Sequence, residues 1–198
     1  DEIGQLAQAF NHMAKELRNK ERIKETFGKY LDPRVVARLI DTSKEDLDQA
    51  ERRVATVLFS DLAGFTAISE QLTATSMVKL LNHYFTVVAE QIRAHNGILE
   101  KYIGDAVVAF WASPFSTGDD HAASACLAAL AHRDAVATIR PELSQILGLR
   151  RNVPQLTARI GIATGEVVVG TIGAPTAKSF AAIGDITNLA SRLEGVNK

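Results

Sequence analysis

The chain reads as an α+β protein: a ferredoxin-like βαββαβ core with additional strands, preceded by a long N-terminal helix of coiled-coil type. Three observations predict this. Short apolar runs alternate with helical periodicity from Val54 onward, the runs come in pairs that suit hairpins, and residues 1–31 carry a heptad spacing instead.

In residues 1–31, Ile3, Leu6, Phe10, Met13 and Leu17 step by three and four residues. The register continues through Lys20 and Lys24 to Phe27 and Leu31, so two polar layers interrupt a seam that then resumes. A sustained seam of this kind favours a partner helix over packing on its own domain. Asp32-Pro33 supplies an N-cap and a first-turn proline for a short helix, Arg34–Ile40. Residues 41–53 (DTSKEDLDQAERR) are charged and read as a linker.

Val54–Ser60 (VATVLFS) has the composition of a buried strand. A helix follows over Ser76–His95, with Met77, Leu80, Leu81, Tyr84, Val88 and Ile92 on one face and Asn96-Gly97 as its stop. The stretch 98–111 reads as a hairpin, with Gly104 suited to the first central position of a type II′ turn. An alanine-rich helix is predicted over Asp120–Ile139, stopped by Pro141. A second hairpin, Leu156–Ala163 and Glu166–Gly170, is predicted to turn at Thr164-Gly165. A short strand, Ser179–Ile183, then leads through Gly184-Asp185 into a helix over Ile186–Gly195. The expected architecture is a mostly antiparallel sheet with helices on one face.

With 198 residues, 46% of them hydrophobic, there is room for one good-sized domain and an appendage. A net charge of −1 argues against nucleic-acid binding, which wants a basic surface, so an anionic substrate needs local positive charge or metal ions. Cys126 is the single cysteine, which excludes an intrachain disulfide, and the five histidines have no zinc-like spacing. No apolar run is long enough to span a bilayer. The chain starts and stops in mid-pattern and reads as a piece of something longer.

Two carboxylates stand out. Asp61 sits at the end of the first predicted strand in Phe59-Ser-Asp-Leu-Ala-Gly-Phe-Thr66, before a glycine-containing turn that could present amide groups to a phosphate. Asp105 sits in the turn of the hairpin, in Leu99-Glu-Lys-Tyr-Ile-Gly-Asp105, and on that stretch alone it can equally be turn chemistry. Should the first strand pair beside the hairpin, the two would face each other at one edge of the sheet. Carboxylates without a basic partner then call for a proton or a cation, and hard oxygen ligands favour Mg²⁺ or Mn²⁺.

Four segments together, 59–66, Lys-Tyr-Ile-Gly-Asp (101–105), Arg-Ile-Gly-Ile-Ala-Thr-Gly (159–165) and Gly-Asp-Ile-Thr-Asn-Leu-Ala-Ser-Arg (184–192), resemble the class III nucleotidyl cyclases, bacterial adenylate cyclases in particular. The likeness covers 54–198. Residues 1–13 resemble the closing helix of a HAMP signalling domain, and 27–40 the transducing element that leads into such cyclases. The implied division is a signalling helix over 1–31, a transducer helix and linker over 32–53, and a catalytic domain over 54–198 whose last strands lie beyond Lys198.

The resemblance implies roles for matching positions. Asp61, Asp105 and the Leu62 carbonyl would hold two Mg²⁺ or Mn²⁺ ions per site, with Phe65 and Thr66 in the turn against the substrate. Arg159 would contact phosphate, Asn188 would orient the ribose, and Arg192 would stabilise charge on the pentavalent phosphorus. Lys101 matches the base-reading position, where adenylate cyclases carry lysine and guanylate cyclases glutamate. Its partner position falls on Ala181, whose methyl group cannot accept from the adenine amino group, which loosens the expected choice of ATP over GTP. The implied function is an adenylate cyclase acting on ATP, as a homodimer with shared sites. It would be the cytoplasmic output domain of a receptor in the inner or plasma membrane, reached through upstream segments only. A guanylate or relaxed cyclase, and a non-catalytic dimerisation module, remain the alternatives.

Overall fold

The structure is a computed structural model that describes residues 2–41, 50–116, 120–148, 153 and 155–197. It divides into two compact units, 1–47 and 48–198. The charged segment expected as a linker lies largely outside the described residues.

In the first unit, α1 (Glu2–Phe27) presents its seam to solvent: Ile3, Leu6, Phe10, Met13 and Leu17 are all exposed. The helix stops short of the expected Leu31, because the chain turns at residues 28–30. The Gly28 amide still bonds Lys24, and the Leu31 amide returns to the Phe27 carbonyl. Then α2 (Pro33–Asp41) starts as the sequence predicts. Asp32 Oδ1 accepts from the Arg34 amide at 3.0 Å and its Oδ2 from the Arg34 guanidinium at 3.0 Å. The cap and the ion pair explain how this aspartate tolerates burial.

The second unit is built on a five-stranded antiparallel sheet ordered β2-β3-β1-β4-β5. The strands are β1 (Glu51–Leu62), β2 (Ile98–Ile103), β3 (Ala106–Trp111), β4 (Ala158–Ala174) and β5 (Ala177–Ile183). Its helices are α3 (Phe65–Ser69), α4 (Ala74–Ala94), α5 (His121–Leu147) and α6 (Asp185–Val196). Strand β1 is central and pairs with β3 on one side and β4 on the other, and its two faces do different work. Leu58 joins Leu80, Tyr84 and Ala128 in the core under α4 and α5. On the same face Ser60 Oγ lies 3.4 Å from His132 Nε2, and Thr56 Oγ1 lies 2.7 Å from His121 Nδ1, both histidines on α5.

The opposite face takes α6. Gly161 pairs with Phe59, and a Cβ there would sit 2.1 Å from the Ala190 carbonyl oxygen and 2.2 Å from the Glu194 amide nitrogen. Backbone meets backbone at that point, so only glycine fits. The expectation of helices on one face therefore holds for α4 and α5 and not for α6.

Two boundaries also differ from expectation. The turn predicted at Thr164-Gly165 does not form: β4 runs unbroken through it, and the hairpin turns at residues 175–176 instead. Gly165 marks close approach to α6, since a Cβ there would meet Ile186 at 2.6 Å. Helix α5 continues past Pro141 to Leu147, because buried Leu143 and Leu147 anchor its last turns in the core. That burial offsets the hydrogen bond a proline removes. The hairpin 98–111 forms as expected. Ile103 pairs with Ala106 across Gly104 (φ 63°) and Asp105, whose φ is not positive, in keeping with a type II′ turn.

His132 is fully buried, and burial pushes its imidazole down to about 4 from an ordinary 6.5. Protons then bind the unfolded chain more readily than the folded one, so this contribution to stability is complete above pH 6.5 and is lost as pH falls towards 4. Between pH 7 and pH 5 the wild type should lose about 1–2 kcal/mol more stability than His132→Gln in urea unfolding. Equal losses in the two proteins would show that the ring titrates normally.

Candidate active site

The pairing of β1 with β3 and β4 brings three sequence-predicted residues together. Asp61 lies one residue from the end of β1, directly opposite Arg159 on β4. Asp105 lies in the β2–β3 turn and accepts from the Leu62 amide at 3.3 Å. Burial pushes the Asp105 carboxyl up to about 6, helped by a hydrogen bond to Asp61 and by its charge. Asp61 thus adds to burial in disfavouring the ionised form of Asp105.

Arg159 closes the other side. Its guanidinium donates to Asp61 Oδ2 at 2.5 Å, and its Nε lies 3.1 Å from Glu194 Oε1 on α6 without the alignment of a hydrogen bond. Hydrogen bonding to Asp61, ahead of the charges of Asp61, Glu194 and Asp105, holds the guanidinium all the more firmly charged. The reading of two carboxylates lacking a basic partner is corrected here: antiparallel register supplies Arg159. Glu194 was not singled out from the sequence. Its position two residues after Arg192, on the helix face that meets Gly161, becomes informative only once α6 is known to pack there.

Besides the facing Arg159 Nε and Glu194 Oε1, one atom of this cluster is left over. Asp61 Oδ1 is buried and has no hydrogen-bond partner. A buried, unpartnered carboxylate oxygen beside a second carboxyl that resists ionisation is a donor set suited to a hard divalent cation. Among the described residues no group of three or more His, Cys, Asp or Glu side chains is placed to hold a metal ion, so a cation here would complete its shell with backbone or substrate oxygens. Leu62 lies between these groups in sequence and its side chain is buried in the core.

The turn after Asp61 leads through Gly64 into α3, where Phe65 packs against the core and Thr66 is exposed. Asn188 and Arg192 are exposed on α6, four residues apart and so on one face. Neither joins the carboxylate cluster within the chain in any described contact. Ala181 is buried on β5, opposite Gly170. Lys101 on β2 is half-exposed, and its Nζ lies 2.8 Å from Glu100 Oε1. The Glu100 side chain is nearly fully buried and its Oε2 accepts from the Ala182 amide at 3.1 Å. This contact brings β2 to β5 although the two strands are the opposite edges of the sheet.

Comparison with known proteins gives the cluster its setting. Residues 47–198 match the adenylate and guanylate cyclase catalytic domain family, and residues 1–19 match the HAMP domain family. Adenylate cyclase 1 of Rhizobium meliloti is 35% identical over 173 residues, covering 87% of this chain and 25% of that protein. Mycobacterial relatives of unassigned function align over 97% of this chain and 31–33% of their own length, so the chain spans no more than about a third of the relatives it matches. The crystal structure of the adenylyl cyclase CyaB from P. aeruginosa superposes with a TM-score of 0.69 at 34% identity, over 76% of this chain and 75% of that one. That of a guanylyl cyclase superposes with a TM-score of 0.67 at 36% identity, over 75% and 73%.

A cation held by this pair would displace the proton that Asp105 carries below about pH 6, so Mn²⁺ affinity measured by calorimetry should rise about tenfold per pH unit up to about pH 6 and then level. Asp105→Asn should bind weakly at every pH. A flat profile in the wild type would mean that the carboxyl pair is not the cation site.

Proposed function

Since the chain belongs to the adenylate and guanylate cyclase catalytic domain family, we propose that it converts ATP to 3′,5′-cyclic AMP and pyrophosphate. The single observation that carries the chemistry is the carboxyl pair Asp61 and Asp105, with one buried oxygen still without a partner. Two Mg²⁺ or Mn²⁺ ions held there with the Leu62 carbonyl would acidify the ribose 3′-hydroxyl and neutralise the triphosphate.

The side chains of this chain do the rest. Lys101 donates to N1 of adenine, and Asn188 orients the ribose. The 3′-oxygen attacks the α-phosphorus in line, the bond from that phosphorus to the bridging oxygen breaks, and pyrophosphate carries away the electron pair. Arg192 stabilises the charge on the five-coordinate phosphorus, and Arg159 contacts phosphate. Phe65 and Thr66 shape the turn under the phosphates.

The site is composite. Asn188 and Arg192 face solvent on α6 while the carboxylates lie half-buried beside β1, which supports a homodimer in which each protomer completes the other's site. The exposed heptad seam of α1 and the HAMP match support a parallel pairing that transmits a signal from upstream. No described helix is long and apolar enough to cross a membrane, and we assign membrane attachment to upstream segments of the full-length protein.

Incubating the full-length protein with ATP or GTP and Mn²⁺, then identifying the cyclic nucleotide, tests the reading. Cyclic AMP is the expected product, with turnover at least about 100-fold lower in Asp61→Asn and Asp105→Asn at unchanged thermal stability or better. Cyclic GMP as the main product overturns the choice of base, and normal turnover in either variant overturns the metal assignment.

A further inference from the structure

We propose that the face of α1 carrying Phe27 serves two packings that exclude each other, one against the chain's own α2 and one against α1 of a second copy. The paired helices then either part at Lys20 or zip through to the end of α1. The inference rests on the homodimer reading above and gives that dimer a place where an upstream signal can act.

Three observations carry it. First, the heptad seam that runs from Ile3 to Leu17 resumes at Phe27 and Leu31, so the spacing assigns those two residues to a partner helix. Second, the structure gives them to α2 instead. Ile23 and Phe27 of α1, with Leu31 from the turn, form one wall of a groove of about 230 Å³. Val36, Leu39 and Ile40 of α2 form the other wall. Third, α2 covers this face only in part: Phe27 remains 52% exposed and Ile23 47%. Side chains half held by one neighbour still have apolar area to bury against another.

The two packings cannot coexist. Helices in contact lie about 8–10 Å apart, so a second α1 seated along Phe27 and Leu31 takes the space that α2 fills. The lysines set where the pair parts. Lys20 and Lys24 are the seam layers between Leu17 and Phe27, and a charged residue in such a layer keeps register while lowering stability. Glu21 follows Lys20 at the position flanking the seam, so a second copy brings a carboxylate to that layer. This charge match, and continuity with the exposed seam from Ile3 to Leu17, commit the face to a second copy of this chain. Helix α2 is the last described element before β1, so the choice of packing is made directly ahead of the catalytic domain.

Cysteine cross-linking tests it in the full-length protein, with the native cysteines, Cys126 among them, replaced by serine. Leu17→Cys lies in the seam in both packings and should cross-link copies in high yield, whereas Phe27→Cys should do so in low yield. Leu39→Asp removes an apolar wall of α2, and Lys24→Leu adds an apolar layer to the seam. Each should raise the yield at Phe27→Cys relative to Leu17→Cys at least about fivefold. The two act from opposite sides of the same choice, so their agreement is not a product of misfolding. Equal yields at the two cysteines without either substitution, or a yield at Phe27→Cys that either substitution leaves unmoved, overturn the proposal. Oxidative locking at Phe27→Cys should change cyclic nucleotide output at least about fivefold, reversibly on reduction, while locking at Leu17→Cys should not. Equal effects of the two locks overturn the link to the site. Absence of cross-linking at Leu17→Cys overturns the homodimer reading itself, a result distinct from the others.

Discussion

Two carboxyl groups held within hydrogen-bonding reach of each other, Asp61 and Asp105, are the constraint around which the second unit is arranged. Like charges so close disfavour each other's ionisation, and burial, with the hydrogen bond and charge of Asp61 added, pushes the Asp105 carboxyl up to about 6. Compensation comes from both sides of β1. Register with β4 sets Arg159 opposite Asp61, and the tight turn of the β2–β3 hairpin carries Asp105 to the Leu62 amide. One oxygen, Asp61 Oδ1, is still left without a partner. The fold thus holds a half-compensated carboxyl pair in place.

The alternation of β1 explains how one strand serves both the core and the chemistry. Leu58 is buried under α4 and α5, while Phe59 pairs with Gly161 on the face that receives α6. The close approach at Gly161 draws α6 against the sheet, and through it Glu194 reaches Arg159. The same packing leaves Asn188 and Arg192 on an exposed face of α6. The proposal that these two side chains serve a partner's site starts from that exposure.

Much of this was legible in the sequence because local chemistry decided it. Gly104-Asp105 between apolar runs specifies a two-residue hairpin, and Asp32-Pro33 specifies the start of α2. What escaped depends on distant partners. Thr164-Gly165 looks like a turn, but its glycine answers to Ile186 on a helix two elements later. Pro141 looks like a stop, yet Leu143 and Leu147 gain enough from the core to carry the helix past it. Arg159 as the counterion of Asp61 follows from register, which no single segment encodes. Glu100 was visible as a charge beside Lys101, but its burial arises from a bulge and from a strand at the far edge of the sheet.

The claim that one protomer supplies the carboxylates and the other supplies Asn188 and Arg192 is tested most directly by mixing. Full-length Asp61→Asn and Arg192→Ala proteins, each inactive alone, are combined and assayed for cyclic nucleotide, with differently tagged copies reporting exchange between dimers. A heterodimer would contain one doubly damaged site and one intact site. With random exchange, activity should return to about a quarter of wild type, since half the dimers then carry one working site of two. Demonstrated exchange with no return of activity would contradict the shared site.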